Sequence, residues 1–146
     1  MFAVFLLACD TTETQISDKC TVDIVQPTET FEVGSEVSVI ASPLSEAWDT
    51  VVTIDELSSL VTGLDRDNCE QCDQCKEQYE CYSCYDCDSC DYLCKTTCIE
   101  KVNFIVPEGD EKSSLLHITN RYGQSPPISV DIVLPSLDTG TNDSGQ

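Results

Sequence analysis

The residues of this chain that can do chemistry are its cysteines. There are 11 in 146 residues. All but Cys9 and Cys20 lie in one stretch, at Cys69, Cys72, Cys75, Cys81, Cys84, Cys87, Cys90, Cys94 and Cys98. From Cys69 to Cys90 they take every third position except Gln78. The triplets Tyr79-Glu80-Cys81, Tyr82-Ser83-Cys84, Tyr85-Asp86-Cys87 and Asp88-Ser89-Cys90 form a short repeat. Three chemistries compete for such an array. A disulfide framework needs an oxidising compartment. Zinc needs four thiolates, and Cys69 and Cys72 with Cys84 and Cys87 make one such set. An iron–sulfur cluster fits Cys84, Cys87, Cys90 and Cys94, whose C-x-x-C-x-x-C-x-x-x-C spacing is that of cluster-binding thiolates. Lys95 stands where such runs carry proline, and the run that begins at Cys69 has Tyr79 in its fourth place. A cysteine at every third position also produces that spacing by chance.

Other chemical motifs are weaker. Asp138-Thr139-Gly140 spells the triplet of aspartic proteases, but it stands alone in a polar tail, and that chemistry needs two facing carboxylates. Asn142-Asp143-Ser144 spells a glycosylation sequon. His117 is the only histidine, and it alternates with Leu116 and Ile118, so it reads as an exposed strand residue. A histidine-based triad or His-ligated metal is hard to build here. No catalytic residue and no cofactor is assigned, and the chain reads as non-enzymatic.

The compartment decides between disulfide and metal. Residues 2–8 are all apolar, too few to span a bilayer but enough for a short signal core, with no Lys or Arg before them. Leu6-Leu7-Ala8-Cys9 resembles the lipobox of bacterial lipoproteins. The resemblance implies cleavage after residue 8, a lipid on Cys9, and a membrane partner through that lipid. The chain would then face the periplasm or the cell exterior in the envelope. It also fixes the cysteine arithmetic. With Cys9 acylated, ten remain: Cys20 and the nine of the block. An even ten can all pair, and Cys20 must then join the block to the rest of the chain. Adjacent C-x-x-C pairs can bond locally, and period three equally suits a helix facing another segment.

Bulk charge narrows the partners. The chain holds 27 Asp plus Glu against 7 Lys plus Arg, a net charge of -20. Such a surface repels phosphate backbones and anionic headgroups, which argues against nucleic acid. A protein or glycan partner on the cell surface is compatible with it, and its identity is not written in the composition.

The elements that must position these residues read mostly as strands. Ile128, Val130, Ile132 and Leu134 alternate with polar residues, as do Val102, Phe104 and Val106, Leu116 and Ile118, and Val37 and Val39. Trp48, Val52 and Ile54 share a face of another run, and Trp48 reads as core. No stretch shows sustained helical periodicity with caps. The organisation is a signal at 1–8, a tether at 9–19, a β-domain at 20–135 interrupted by a cysteine-rich insertion at 65–101, and a tail at 136–146. Four of the five tyrosines lie in the insertion, where they read as cover for its disulfides.

Phe31-Glu32-Val33-Gly34-Ser35-Glu36-Val37-Ser38-Val39 resembles the second strand of bacterial immunoglobulin-like or PKD-like surface domains. Trp48 to Ile54 and then Ser58 to Leu64 resemble their middle strand and following turn. Leu116 to Gly123 and Ile128 to Leu134 resemble their closing hairpin, with Arg121-Tyr122 where an acidic residue is common. The resemblance implies a small antiparallel β-sandwich, with an irregular or partly helical disulfide-rich insertion. It also implies a structural, recognition or adhesion role. A thiolate module binding zinc or an iron–sulfur cluster is the alternative.

Overall fold

A computed structural model describes residues 21–80 and 88–136. The fold is mostly β. Nine strands are present among the described residues: β1 (Asp23–Ile24), β2 (Phe31–Glu32), β3 (Glu36–Ser42), β4 (Val51–Ile54), β5 (Leu57–Asp67), β6 (Ile99–Ile105), β7 (Lys112–Asn120), β8 (Gly123–Gln124) and β9 (Ile128–Val133). The hydrogen-bonded order is β1-β3-β6-β5-β4-β7-β9-β2, with β8 beside β7. Every pair is antiparallel except β2 with β9.

The sheet curls because two segments change partners along their length. In β5, Ser58 and Ser59 pair with β4, whereas Leu60 onward pairs with β6. The register shifts between Val61 and Gly63, so Thr62 is an extra residue, and such a bulge bends a strand. On the other side, β2 pairs with β9, the chain turns at Gly34, and β3 pairs with β6. Gly34 has φ +79°, a left-handed conformation that a side chain opposes. The two halves, β1-β3-β6-β5 and β4-β7-β9-β2, thereby face one core.

That core comes from the alternation read in the sequence. Val39 and Ala41, Val52 and Ile54, Val102 and Phe104, Leu116 and Ile118, and Val130 and Ile132 point inward from successive strands. Phe31 and Phe104 meet edge to face, ring centroids 6.0 Å apart. Two expectations are corrected. Ser58 to Leu64 is no turn but the body of β5, and Leu134 lies beyond the end of β9, exposed.

The cysteine block is helical in its described parts. Helix α1 spans Glu70–Gln78 and α2 spans Asp88–Thr97. β5 runs to Asp67 and β6 starts at Ile99, so the strands reach into both ends of the 65–101 block. Asn68, with φ 56°, turns the chain from β5 into α1, and asparagine tolerates that region better than most residues.

Candidate functional site

Three cysteines three apart and three cysteines four apart make the helical hairpin. On an α-helix, both spacings return to the same face. Cys69, at the N-cap of α1, shares a face with Cys72 and Cys75, and Cys98, just past the end of the antiparallel α2, shares one with Cys90 and Cys94. They bond as Cys69–Cys98, Cys72–Cys94 and Cys75–Cys90, a ladder of three rungs with Cα separations of 4.2, 4.6 and 5.8 Å. All six sulfurs but that of Cys75 belong to buried residues. Apart from its cysteines, α1 reads Glu-Gln-Asp-Gln-Lys-Glu-Gln. Nine such residues would not hold a helix in water. The sulfur seam supplies both the burial and the covalent tie.

These bonds pair six of the disulfide candidates and argue against the metal alternative. Cys90 and Cys94, half of the Cys84-Cys87-Cys90-Cys94 run, are bonded to Cys75 and Cys72. Cys69 and Cys72, half of the zinc set, are also bonded. A metal site needs thiolates, and a sulfur in a disulfide has no such charge to offer. Among the described residues, no group of His, Cys, Asp or Glu is placed to hold a metal ion. Cys9, Cys20, Cys81, Cys84 and Cys87 lie outside the described residues, as do the Asp138 triplet and the Asn142 sequon. Of the block's tyrosines, the two described ones do not cover the ladder: Tyr79 and Tyr92 are 56% and 80% exposed. With helix backbones this close, the seam has no room for a ring.

Cations fasten the hairpin to the sheets. Arg66, near the end of β5, donates from Nη1 and Nη2 to the two oxygens of Asp73 on α1, at 3.0 and 2.7 Å. Its Nε donates to Glu100 Oε1 of β6 at 3.1 Å. Glu100 is 2% exposed, and its Oε2 accepts the Leu44 backbone N–H at 3.0 Å. One buried carboxylate thus holds a loop and, through Arg66, a helix. The hydrogen bond to Asp73, with help from Glu100, holds the Arg66 proton more firmly than usual. On α2, Lys95 bridges to Asp23 of β1 at 3.0 Å and to Asp91 at 3.1 Å, and Asp23 is the main cause of its raised pKa. Lys76 of α1 lies over the Tyr122 ring, 5.7 Å from its centroid.

The hairpin is one wall of a cleft of about 440 Å³. The other walls are the β3–β4 connection at Leu44 to Ala47 and the β7–β8 connection at Arg121 and Tyr122. Three connections therefore converge at one end of the domain, where recognition residues on a rigid scaffold are commonly found. Trp48 stands there on a 3-10 turn, Ala47–Asp49, and is 81% exposed rather than core. The reason is local: the turn precedes β4, so the alternation of Val52 and Ile54 does not reach back to residue 48. Arg121 packs its guanidinium over the Trp48 ring, 5.4 Å from the centroid. Asp49 fixes the pair. Its Oδ2 accepts Ser45 Oγ at 2.6 Å, Arg121 N at 2.9 Å and Arg121 Nε at 3.1 Å. Burial alone would raise the Asp49 carboxyl, but these donors and the Arg121 charge hold it below its ordinary value of 3.8. His117 sits half-buried in β7 with its Nδ1 3.5 Å from the Ser125 carbonyl.

No protein-family model matches this sequence, and no curated protein sequence matches it. What the chain is must be read from its own residues. It is a disulfide-stabilised β module. Disulfides in this number form and persist in oxidising compartments, which places the chain in an exported setting. No helix among the described residues is long and apolar enough to cross a membrane.

The sequence pointed to the cysteines but missed Arg66, Lys76, Glu100, Arg121 and Tyr122. A signal was present. In a chain with only 7 cations, each Lys or Arg marks a position where positive charge is wanted.

Proposed function

We propose that this protein is a non-enzymatic recognition module of the cell envelope, tethered through a lipid on Cys9, that binds a protein or glycan partner with its cleft end. The observation that carries this is the exposed Trp48 held rigid by Asp49 and Arg121 beside the disulfide-laddered hairpin. Tryptophan and arginine dominate interface energetics when they are preorganised, because little entropy is then lost on binding. An exposed tryptophan contributes little to its own fold, so its position is explained by what it meets.

Strand order supports the immunoglobulin-like part of the reading. Such sandwiches set strands A-B-E-D in one sheet and C-F-G in the other, with loops clustered at the ends. Here β1-β3-β6-β5 faces β4-β7-β9, and the hairpin occupies the link between the fourth and fifth of those lettered strands. The Leu6-Leu7-Ala8-Cys9 run supports the lipid anchor.

The test is binding of the purified chain to envelope fragments of the producing cell, compared with Trp48→Ala and Arg121→Ala. The account expects at least a tenfold loss of binding with an unchanged melting temperature for Trp48→Ala. Equal binding by both variants would refute the assignment of this end. Palmitate labelling that survives Cys9→Ser would refute the anchor.

A further inference from the structure

A second site lies away from the cleft end, along the outer edge of β3. We infer that this edge is a groove for an extended, basic peptide strand of another protein, which would add to the sheet beside β3.

β1 runs antiparallel to β3, with Asp23 opposite Ser42 and Ile24 opposite Ala41. One step further, the Val25 N–H donates to the Ile40 carbonyl at 2.9 Å. Ile40 therefore turns its backbone groups toward β1, and by the period of two, Ser38 and Glu36 turn theirs the same way. Val39 and Val37 turn theirs toward β6, as the Val106 N–H bond to the Ser35 carbonyl on that side requires. If β1 continued, residue 27 would sit opposite Ser38. That residue is Pro27. Proline has no N–H to give to the ladder and is kept out of paired strand positions. The chain instead leaves β3, and Gln26 Nε2 donates to the Ser129 carbonyl of β9 at 2.7 Å. Among the described residues, the backbone N–H and C=O of Ser38 and Glu36 have no strand partner on this side.

The departing chain opens a groove of about 450 Å³ against that edge. Phe31 and Val39 lie buried at its base, and Val25, Val37 and Ile40 supply its accessible apolar surface. Its charged residues are Glu29 and Glu36, with no Lys or Arg among those lining it. An extended segment added at a sheet edge gains affinity from main-chain hydrogen bonds and selectivity from pockets for alternate side chains. Here the pockets are apolar and the rim is anionic, on a molecule of net charge -20. The occupant that matches is a strand with small apolar residues facing the floor and lysine or arginine beside them. The acidic surface also speeds the approach of such a partner. A proline that blocks a protein's own strand from an otherwise ready edge keeps the edge vacant for another.

The experiment titrates the full oxidised chain with the blocked peptide Lys-Val-Thr-Val-Lys and follows backbone amide shifts by NMR. The account expects saturable shifts centred on Glu36 to Ile40, and binding at least about tenfold weaker for Glu-Val-Thr-Val-Glu. Three variants sharpen it. Ser38→Pro removes the N–H donor at an edge position where proline is tolerated, and should weaken binding about tenfold. Glu29→Lys with Glu36→Lys should reverse the preference between the two peptides. Pro27→Val lets β1 extend along β3 and should close the groove to the peptide. The inference is overturned by any of three results: no shift at millimolar peptide, shifts elsewhere, or Ser38→Pro binding as well as the parent. Concentration-dependent dimerisation abolished by Ser38→Pro would also overturn it, because the occupant would then be a second copy.

Discussion

Replacing Arg66 by alanine should test how the hairpin is joined to the sheets. The substitution leaves the Glu100 carboxylate, 2% exposed, with only the Leu44 N–H as a partner among the described residues. Removing one partner of a fully buried ion pair costs about 3–5 kcal/mol, because a charge is stranded away from water. The Arg66 side chain is 37% exposed, so water can enter part of the space it leaves. The expected loss is therefore smaller, about 2–3 kcal/mol. For a chain of this size that is roughly 6–15 °C in melting temperature. Asp73→Asn removes the other carboxylate that Arg66 meets, at a pair exposed on both sides, 37% and 49%. It should cost less than about 1 kcal/mol. The decisive variant is Arg66→Ala with Glu100→Gln. Glutamine carries no charge and still accepts the Leu44 N–H, so more than half of the loss should return. Urea unfolding and calorimetry at pH 7 on the oxidised chain measure all four proteins. The reasoning is refuted if Arg66→Ala costs under about 0.5 kcal/mol, or if the double variant is no more stable than Arg66→Ala.

Other consequences follow from the same structure. Replacing Cys72 and Cys94 together by serine, with the other two rungs intact, should cost about 2–4 kcal/mol, read by urea unfolding, with loss of helical circular dichroism. Asp49→Asn should loosen the Trp48 turn, seen as a shift in tryptophan fluorescence. It should also remove an acid-dependent part of stability. Because the folded-state pKa of Asp49 lies below 3.8, its contribution is complete above that value and disappears as pH falls through the folded value. The parent should therefore lose stability below about pH 4 more steeply than Asp49→Asn. Gly34→Ala meets nothing within 4 Å but must hold φ +79°, so thermal unfolding should show a purely conformational cost of about 1 kcal/mol.

What the sequence revealed and what it concealed follow from locality. The inward residues of β6, β7 and β9 were legible because alternation is a local signal and each strand has a wet outer face. The parallel β2–β9 pair was not, since two residues carry no period. The helices were concealed for a chemical reason. Helical periodicity is normally read from aliphatic residues, and in α1 the buried face is written in cysteine alone. The signal lay in the spacing itself. Steps of three up to Cys75, then steps of four from Cys90, describe two helix faces that meet antiparallel. Trp48 was misplaced because its neighbours Val52 and Ile54 suggested a continuing strand. The bonds that set its turn apart join the next residue, Asp49, to Arg121, 72 residues away. The Arg66–Glu100 joint spans 34 residues and joins two common residue types, so nothing local announces it. The groove at β3 was half legible: Pro27 is visible in the sequence, but the strand it interrupts is defined only by its partner.

The most direct test of the account is the connectivity of its cysteines. Proteolysis of the unreduced chain after blocking of free thiols, followed by mass spectrometry, should yield peptides linked as Cys69–Cys98, Cys72–Cys94 and Cys75–Cys90, with none of these six alkylated. Free thiols at Cys90 and Cys94, bound metal, or local bridges within the C-x-x-C pairs would contradict it, because the helical ladder and the end of the domain it builds would then not exist.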